Sequence, residues 1–266
     1  MSKQIAIIKI HESCTLDDEN KFKKCDQECE CSDDSCPNVC ERKECPETCS
    51  SNKKNGCQNQ KFRNYGIGIK KTKKSKDVKA PELTKPNVEI RETRGKGRGL
   101  YATKFIQTGD FVIPFTGEYI SKEEKVKRFE EYGAKMMEAY MLDSGNHTID
   151  ATEFGNQAKY INHSCDPNLV AEQWKLHMMP KNLNYIAFIA EKDIFEGEEL
   201  TFNYRLSRDD SCNIECKCGS SNCSGLVGKK ENVGKDGEVK KNGSKKRKMM
   251  EADVEVGLKK TVKRRR

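Results

Sequence analysis

The chain has no apolar run long enough to cross a bilayer, which takes about 20 consecutive apolar residues. Its opening Ile5-Ala6-Ile7-Ile8 is broken by Lys9 and is too short for the core of a secretory signal. Apolar residues are scarce overall, at 34% of 266 residues against 35% charged. A substantial part of the chain is therefore expected to lie outside any packed core. The expectation is a soluble, intracellular protein with no membrane partner. Disulfides are rare in that compartment, so the fourteen cysteines point to metal ligands.

Nucleotide-binding loops are missing too. Arg94-Gly95-Lys96-Gly97-Arg98-Gly99-Leu100 has neither the spacing of a P-loop nor the third glycine of a dinucleotide fingerprint, whose place Leu100 takes. Alternating glycines still let a backbone approach a ligand closely, and a plain turn needs fewer of them, which favours a ligand role. Positive charge is confined to one end. The formal net charge is +8, but residues 229–266 hold fifteen Lys/Arg against six Asp/Glu, or +9, so the remainder sums to −1.

What is present in abundance is cysteine. Cys25, Cys29, Cys31, Cys36, Cys40, Cys45, Cys49 and Cys57 fall within 33 residues, among Asp, Glu, Asn and Pro. Such a segment has no hydrophobic core, and zinc–thiolate bonds would supply its folding free energy instead. Eight ligands fit two separate four-cysteine sites. Seven fit a pair of zincs sharing one bridging thiolate, with one cysteine left over.

Residues 66–86 carry seven lysines from Lys70 to Lys85, with Pro81 and Pro86, and read as a linker. Upstream, Ile5–Ile10 reads as one short strand. From Val88 the pattern turns globular and mostly β, with short strands expected at Val88–Arg91, Leu100–Ala102, Phe111–Phe115, Glu118–Ile120, Thr148–Ala151, Leu176–Met179 and Tyr185–Ala190. Ser121-x-x-Glu124 is a capping box for one helix over 122–138. Glu198–Tyr204 alternates like a strand, and taken alone Tyr204 would be a core tyrosine.

Tyr160-Ile161-Asn162-His163-Ser164-Cys165-Asp166-Pro167-Asn168 gathers a His, a Cys and small polar groups around an Asp-Pro turn. Cys165 stands 108 residues after Cys57 and 47 before Cys212. As a lone thiol it would be a small buried hydrophobe. Alternatively it is the fourth ligand that Cys216-x-Cys218-x4-Cys223 lacks.

In order, GKGRGLYAT, GEYI, IDATEFGNQAKYINHSCDPN, EGEELTFNY and CKCGSSNCSG resemble the motifs of SET-domain histone-lysine N-methyltransferases with a post-SET zinc segment. The cysteine array ending in CQNQ-x-F resembles the AWS module, which precedes SET in the histone H3 lysine-36 group. The resemblance covers residues 25–65 and 87–227. It implies a SET-domain β-clip fold of small sheets with a pseudoknot, flanked by AWS and post-SET zinc modules. The expected order is an N-terminal segment 1–24, AWS 25–65, linker 66–86, SET 87–206, post-SET 212–228 and a basic disordered tail 229–266.

The resemblance also implies roles. S-adenosylmethionine would bind at Lys96, Gly97, Arg98, Gly99, Tyr140, Asn162, His163 and Tyr204. Tyr204 would be the catalytic tyrosine, with Tyr140 and Phe202 lining the methyl-transfer region. About three zinc ions would be held by Cys29, Cys31, Cys36, Cys40, Cys45, Cys49 and Cys57 and by Cys165, Cys216, Cys218 and Cys223, leaving Cys14, Cys25 and Cys212 outside the ligand set. Partners would be the histone H3 tail and the nucleosome, in the nucleus. The lysine-rich linker and the clusters Lys245-Lys246-Arg247-Lys248 and Lys263-Arg264-Arg265-Arg266 are candidates for DNA-phosphate contacts or a nuclear localisation signal. Lys159 departs from the family's usual arginine, which puts a bidentate contact in doubt. Lysine-4 of H3 is the runner-up target. A catalytically weak chromatin-binding module and a zinc-dependent DNA-binding protein are the competing classes, and the acidic character of residues 26–47 opposes the latter.

Overall fold

The computed structural model describes residues 9–10, 36–46, 49, 57, 59, 61–64, 86–132, 140–176, 180–205, 207–208 and 214–230. Expectations for Cys14, Cys25, Cys29, Cys31, Cys212, most of the linker and the tail from 231 onward lie outside these residues.

The described chain is mostly β, with strands β1 (Lys9–Ile10), β2 (Val88–Thr93), β3 (Gly97–Ala102), β4 (Phe111–Phe115), β5 (Glu118–Ile120), β6 (Met141–Ser144), β7 (His147–Asp150), β8 (Asn162–His163), β9 (Leu169–Trp174), β10 (Tyr185–Ala190), β11 (Glu199–Phe202), β12 (Ser207–Arg208) and β13 (Lys229–Lys230). Helices α1 (Pro37–Cys40), α2 (Lys61–Asn64) and α3 (Lys122–Tyr132) are short. One sheet has the order β1-β5-β7-β6, and a larger one β2-β3-β11-β9-β10-β4 with β8 added beside β11. A parallel β12–β13 pair joins residues 207–208 to 229–230.

Local chemistry explains most of these choices. β10 (YIAFIA) is buried along nearly its whole length between β9 and β4, so it reads as a continuous apolar run. β4 carries Pro114 and ends the sheet order, the place where a strand proline is tolerated. The core gathers Leu100, Ile113, Ile149, Leu169, Ile186, Phe188 and Leu200 from both sheets.

α3 is tied to the smaller sheet by charge. Ser121 Oγ accepts the Glu124 N–H at 3.2 Å, the first half of the expected capping box, and Glu124 turns its carboxylate to Arg128 Nε at 3.1 Å. Arg128 also reaches Glu118 at 2.8 Å and Asp150 at 2.7 Å. Those two carboxylates face each other across β5 and β7, so Arg128 offsets a repulsion that buried like charges would otherwise suffer. Lys122 and Lys125 grip Asp143 on β6 at 2.9 and 2.8 Å.

Two strands appear where none was expected. Of the strand expected at Leu176–Met179 only Leu176 is described and 177–179 lie outside the described residues, whereas β9, ending at Trp174, was not expected. The Ala-Glu-Gln centre of β9 is only partly buried, so it lacked the apolar signal that was sought. β6 was also missed, being four residues long and led by Met141. The helix expected over 122–138 ends its described part at Tyr132.

The cysteine-rich segment docks on the end of β9. Phe62 of α2 is 1% exposed and packs edge-on against Phe111 at 5.2 Å and against Trp174 at 6.0 Å. Backbone bonds from Glu44 N to Lys175 O (3.0 Å) and from Lys175 N to Arg42 O (2.9 Å) extend the join. Phe62→Ala should therefore cost about 3–5 kcal/mol. Urea unfolding should show that loss, and limited proteolysis should show the cysteine-rich segment cut before the β-sheet core.

Candidate functional site

The site is built where residues 160–168 cross β11. The 3-10 turn Gln157–Tyr160 delivers buried Ile161, after which β8 runs parallel to β11 with Asn162 opposite Thr201 and His163 opposite Phe202. Ser164 N–H adds a bond to Phe202 O at 3.1 Å. Asn168 then clamps β11 from the far side, donating Nδ2 to Glu199 O at 2.9 Å and accepting the Thr201 N–H on Oδ1 at 2.9 Å.

Tyr204 follows β11 and folds back on the crossing. Its hydroxyl donates to Ile161 O at 3.0 Å, and its N–H donates to His163 Nδ1 at 3.2 Å. Its ring lies 4.8 Å from Phe202 and 5.3 Å from His163. Burial pushes the Tyr204 phenol well above the usual tyrosine range, and the nearby Tyr140 and Glu199 add to the shift. The group is therefore a neutral hydrogen-bond donor at neutral pH. Burial lowers His163, and Lys96 lowers it further. Because Nδ1 accepts the Tyr204 N–H, the neutral ring carries its proton on Nε2, 3.6 Å from Cys165 Sγ.

Lys96, Gly97, Arg98 and Gly99 form the β2–β3 turn and the start of β3. Gly97 has φ +72° with nothing within 4 Å of where a Cβ would stand, so the backbone faces open space. A Cβ on Gly99 would fall 2.4 Å from Thr93 Oγ1 and 3.1 Å from Asn162 Nδ2, so only glycine lets the turn lie against β8. Asn162 Nδ2 donates to Arg98 O at 3.3 Å and to Glu199 Oε1 at 2.8 Å, while Lys96 Nζ meets Glu199 Oε2 at 2.6 Å. These residues are brought together directly. Tyr140 joins through Tyr160, whose ring is 5.7 Å away and is capped by the Arg98 guanidinium at 4.4 Å.

Lys159 finds its place beside Tyr140. Its Nζ donates to Ala151 O at 3.3 Å and Thr152 O at 3.2 Å and lies 5.3 Å from the Tyr140 ring. The same turn holds Tyr140 by its backbone, since Tyr140 N–H donates to Thr152 Oγ1 at 3.3 Å and Ala151 N–H to Tyr140 O at 2.8 Å. A single ammonium thus reaches two carbonyls.

Cys165 does not stand alone. The sulfurs of Cys165, Cys216, Cys218 and Cys223 lie within 4.8 Å of one another, with Cys165 at 3.8 Å from Cys216 and 3.9 Å from Cys223. Tetrahedral zinc with Zn–S near 2.3 Å needs sulfur edges of about 3.8 Å, so this donor set fits the ion. Ser220 ties the segment to the crossing through Ser164, Oγ to Oγ at 3.1 Å, and Lys217 lies over Gly95, its Cδ 3.3 Å from where a Cβ would stand. A second group joins buried Cys45, Cys49 and Cys57 within 4.8 Å, and Cys36 Sγ is 3.9 Å from Cys45. Asn59 Nδ2 and Asn38 Nδ2 donate to Cys45 Sγ at 3.2 and 3.4 Å, while Cys40 is exposed.

Residues 97–205 match the family model of the SET domain. The chain carries a SET domain. Human histone-lysine N-methyltransferase SETD2 is 33% identical over 175 residues, a match covering 64% of this chain and 7% of that protein. The H3 lysine-36 specific histone-lysine N-methyltransferase of Candida glabrata is 35% identical over 151 residues, covering 54% of this chain and 20% of that one. The chain thus spans a small part of the length of the relatives it matches. Among solved structures, ctPRC2 in an autoinhibited conformation bound to S-adenosylmethionine aligns with a TM-score of 0.50 and 28% identity, over 64% of this chain and 21% of that chain.

Asn168 and Glu199 were not anticipated. Glu199 reads locally as an ordinary strand-opening acid, and its partner Lys96 is 103 positions away. For the metal group, Cys165→Ser is expected to release one zinc per chain. Metal analysis of purified protein checks this, and unchanged zinc content would remove Cys165 from the ligand set.

Proposed function

We propose that this chain is an S-adenosylmethionine-dependent protein lysine N-methyltransferase that acts in the nucleus on the histone H3 tail of nucleosomes, at lysine-36. The observation that carries the reading is the Tyr204 hydroxyl, fixed on Ile161 O beside Phe202 at the crossing of a matched SET domain. Support for lysine-36 over lysine-4 comes from relatives named as H3 lysine-36 specific enzymes. In the same reading, residues 25–65 are an AWS module with two zincs, 212–228 a post-SET segment with one, and the basic clusters of 229–266 contact DNA phosphate.

Bound S-adenosylmethionine supplies an electrophilic methyl group on a sulfonium. Lys96, Gly97, Arg98, Gly99, Tyr140, Asn162, His163 and Tyr204 form its pocket. A lysine amine attacks only when neutral, yet its free pKa is roughly 10.4. The apolar rings of Phe202 and Tyr204 exclude water and favour the neutral amine. Tyr204 stays protonated, so it orients the amine and does not take its proton. Positioning the reacting groups in line is then the main contribution.

Phe202 packs between Phe188 and Tyr204, each 4.8 Å away, and brings no hydroxyl to hold a water against a partly methylated amine. Products should therefore go beyond monomethyl-lysine, and Phe202→Tyr should shift them toward monomethyl. Mass spectrometry of peptide at long incubation reads this out, and strictly monomethylated product from the unaltered chain would exclude it. For the activity itself, Tyr204→Phe is expected to lower methyl transfer from labelled cofactor to recombinant nucleosomes by about a hundredfold or more, the scale of one well-placed catalytic group. Nucleosomes with H3 lysine-36 replaced should lose the label. Label retained there would move the target elsewhere, and no transfer at all would leave the chromatin-binding module.

A further inference from the structure

Glu199 opens β11 opposite Tyr101 of β3, and its strand position is fixed by Asn168 on its carbonyl. Its carboxylate is 18% exposed and divides its two oxygens between two elements. Oε2 takes Lys96 from the β2–β3 turn at 2.6 Å, and Oε1 takes Asn162 Nδ2 from β8 at 2.8 Å. Glu199 is thus the side chain that joins the glycine-rich turn to the crossing segment.

Two consequences follow from donor and acceptor counting. An ionised carboxylate only accepts, so it sets which end of the Asn162 amide turns toward it. The Nδ2 hydrogens go to Glu199 and to Arg98 O, which leaves Asn162 Oδ1 as an acceptor for something else. Second, Lys96 would otherwise stand as an uncompensated cation beside a pocket meant for another cation, and opposed charges at this range are worth kilocalories when partly shielded from water.

We infer that Glu199 is a positioning residue of the cofactor pocket: it turns Asn162 so that Oδ1 accepts from the ammonium of an amino-acid-bearing sulfonium, and it neutralises Lys96 so that the sulfonium is tolerated. The inference rests on the methyltransferase reading above. It adds a residue that acts on cofactor binding without belonging to the reacting groups.

Glu199→Gln keeps the shape and removes the charge, and Glu199→Leu removes both acceptors. With the zinc-loaded full chain, calorimetric titration with S-adenosylmethionine should show affinity lower by at least about tenfold in the Leu variant, on the scale of a lost hydrogen bond to a charged group. The Gln variant should fall between the Leu variant and the unaltered chain. The loss should appear in KM for the cofactor, with kcat at saturation within about threefold, and peptide KM, melting temperature and zinc content unchanged. Unaltered cofactor affinity in the Leu variant overturns the inference. So does a loss that comes with lower melting temperature or lost zinc in both variants, because Glu199 would then act through the fold. If the unaltered chain itself does not bind the cofactor, the methyltransferase reading falls, and this inference with it.

Discussion

The described structure depends on a two-residue parallel pairing. β8 offers only Asn162 and His163 to β11, far too little ladder to hold by itself. Neighbouring contacts of different kinds hold it instead. Asn168 clamps the backbone of β11, Tyr204 bonds back to Ile161 and His163, and Glu199 ties Asn162 to Lys96. The crossing is therefore determined by side chains from three separate stretches, and Asn162, His163, Ser164 and Asn168 each bond within it or beside it. A larger apolar residue at these positions would add buried area and lose the join.

On the flanks, clustered cysteines stand where apolar side chains stand in the body. The apolar core spans both sheets, while Cys36, Cys45, Cys49 and Cys57 form a separate buried cluster with Val39 beside it. The two kinds of cohesion meet at Phe62, an aromatic side chain from the cysteine-rich segment set into the apolar core next to Trp174. Since Trp174 ends β9 and Leu169, at its other end, pairs with Phe202, the docking of that segment and the crossing share one strand.

Much of this was legible from residue types whose demands are local. Cysteine spacing marked both sulfur groups, and alternating glycines marked the turn at Lys96, where Gly95 and Gly97 have positive φ and a Cβ on Gly99 would meet Thr93 Oγ1. Strands with strong apolar content, such as Phe111–Phe115 and Tyr185–Ala190, appear where they were expected. β9 was not expected, because partly buried Glu172 and Gln173 serve the docked segment and the neighbouring loop and so break the apolar pattern. Glu199 and Asn168 were hidden for another reason. Their work is done on partners distant in sequence, and only the fold shows that Lys96, Asn162 and Glu199 meet. Lys159 falls between these cases: its departure from arginine was visible, whereas the pair of carbonyls that one ammonium satisfies was not.

The parallel pairing of Ser207–Arg208 with Lys229–Lys230 places both ends of residues 209–228 side by side. Cys216, Cys218 and Cys223 all lie inside that closed loop, and Cys165 is fixed on the body outside it. Together with the Ser164–Ser220 contact, this pairing draws the segment toward the body, so part of the chain entropy of gathering the four sulfurs is spent before a metal binds. A metal binding at this group would therefore find part of its site already arranged on the body. At the Cys36–Cys57 group the described buried cluster is the cysteines with Val39 beside them, so a metal held there would contribute to folding that segment.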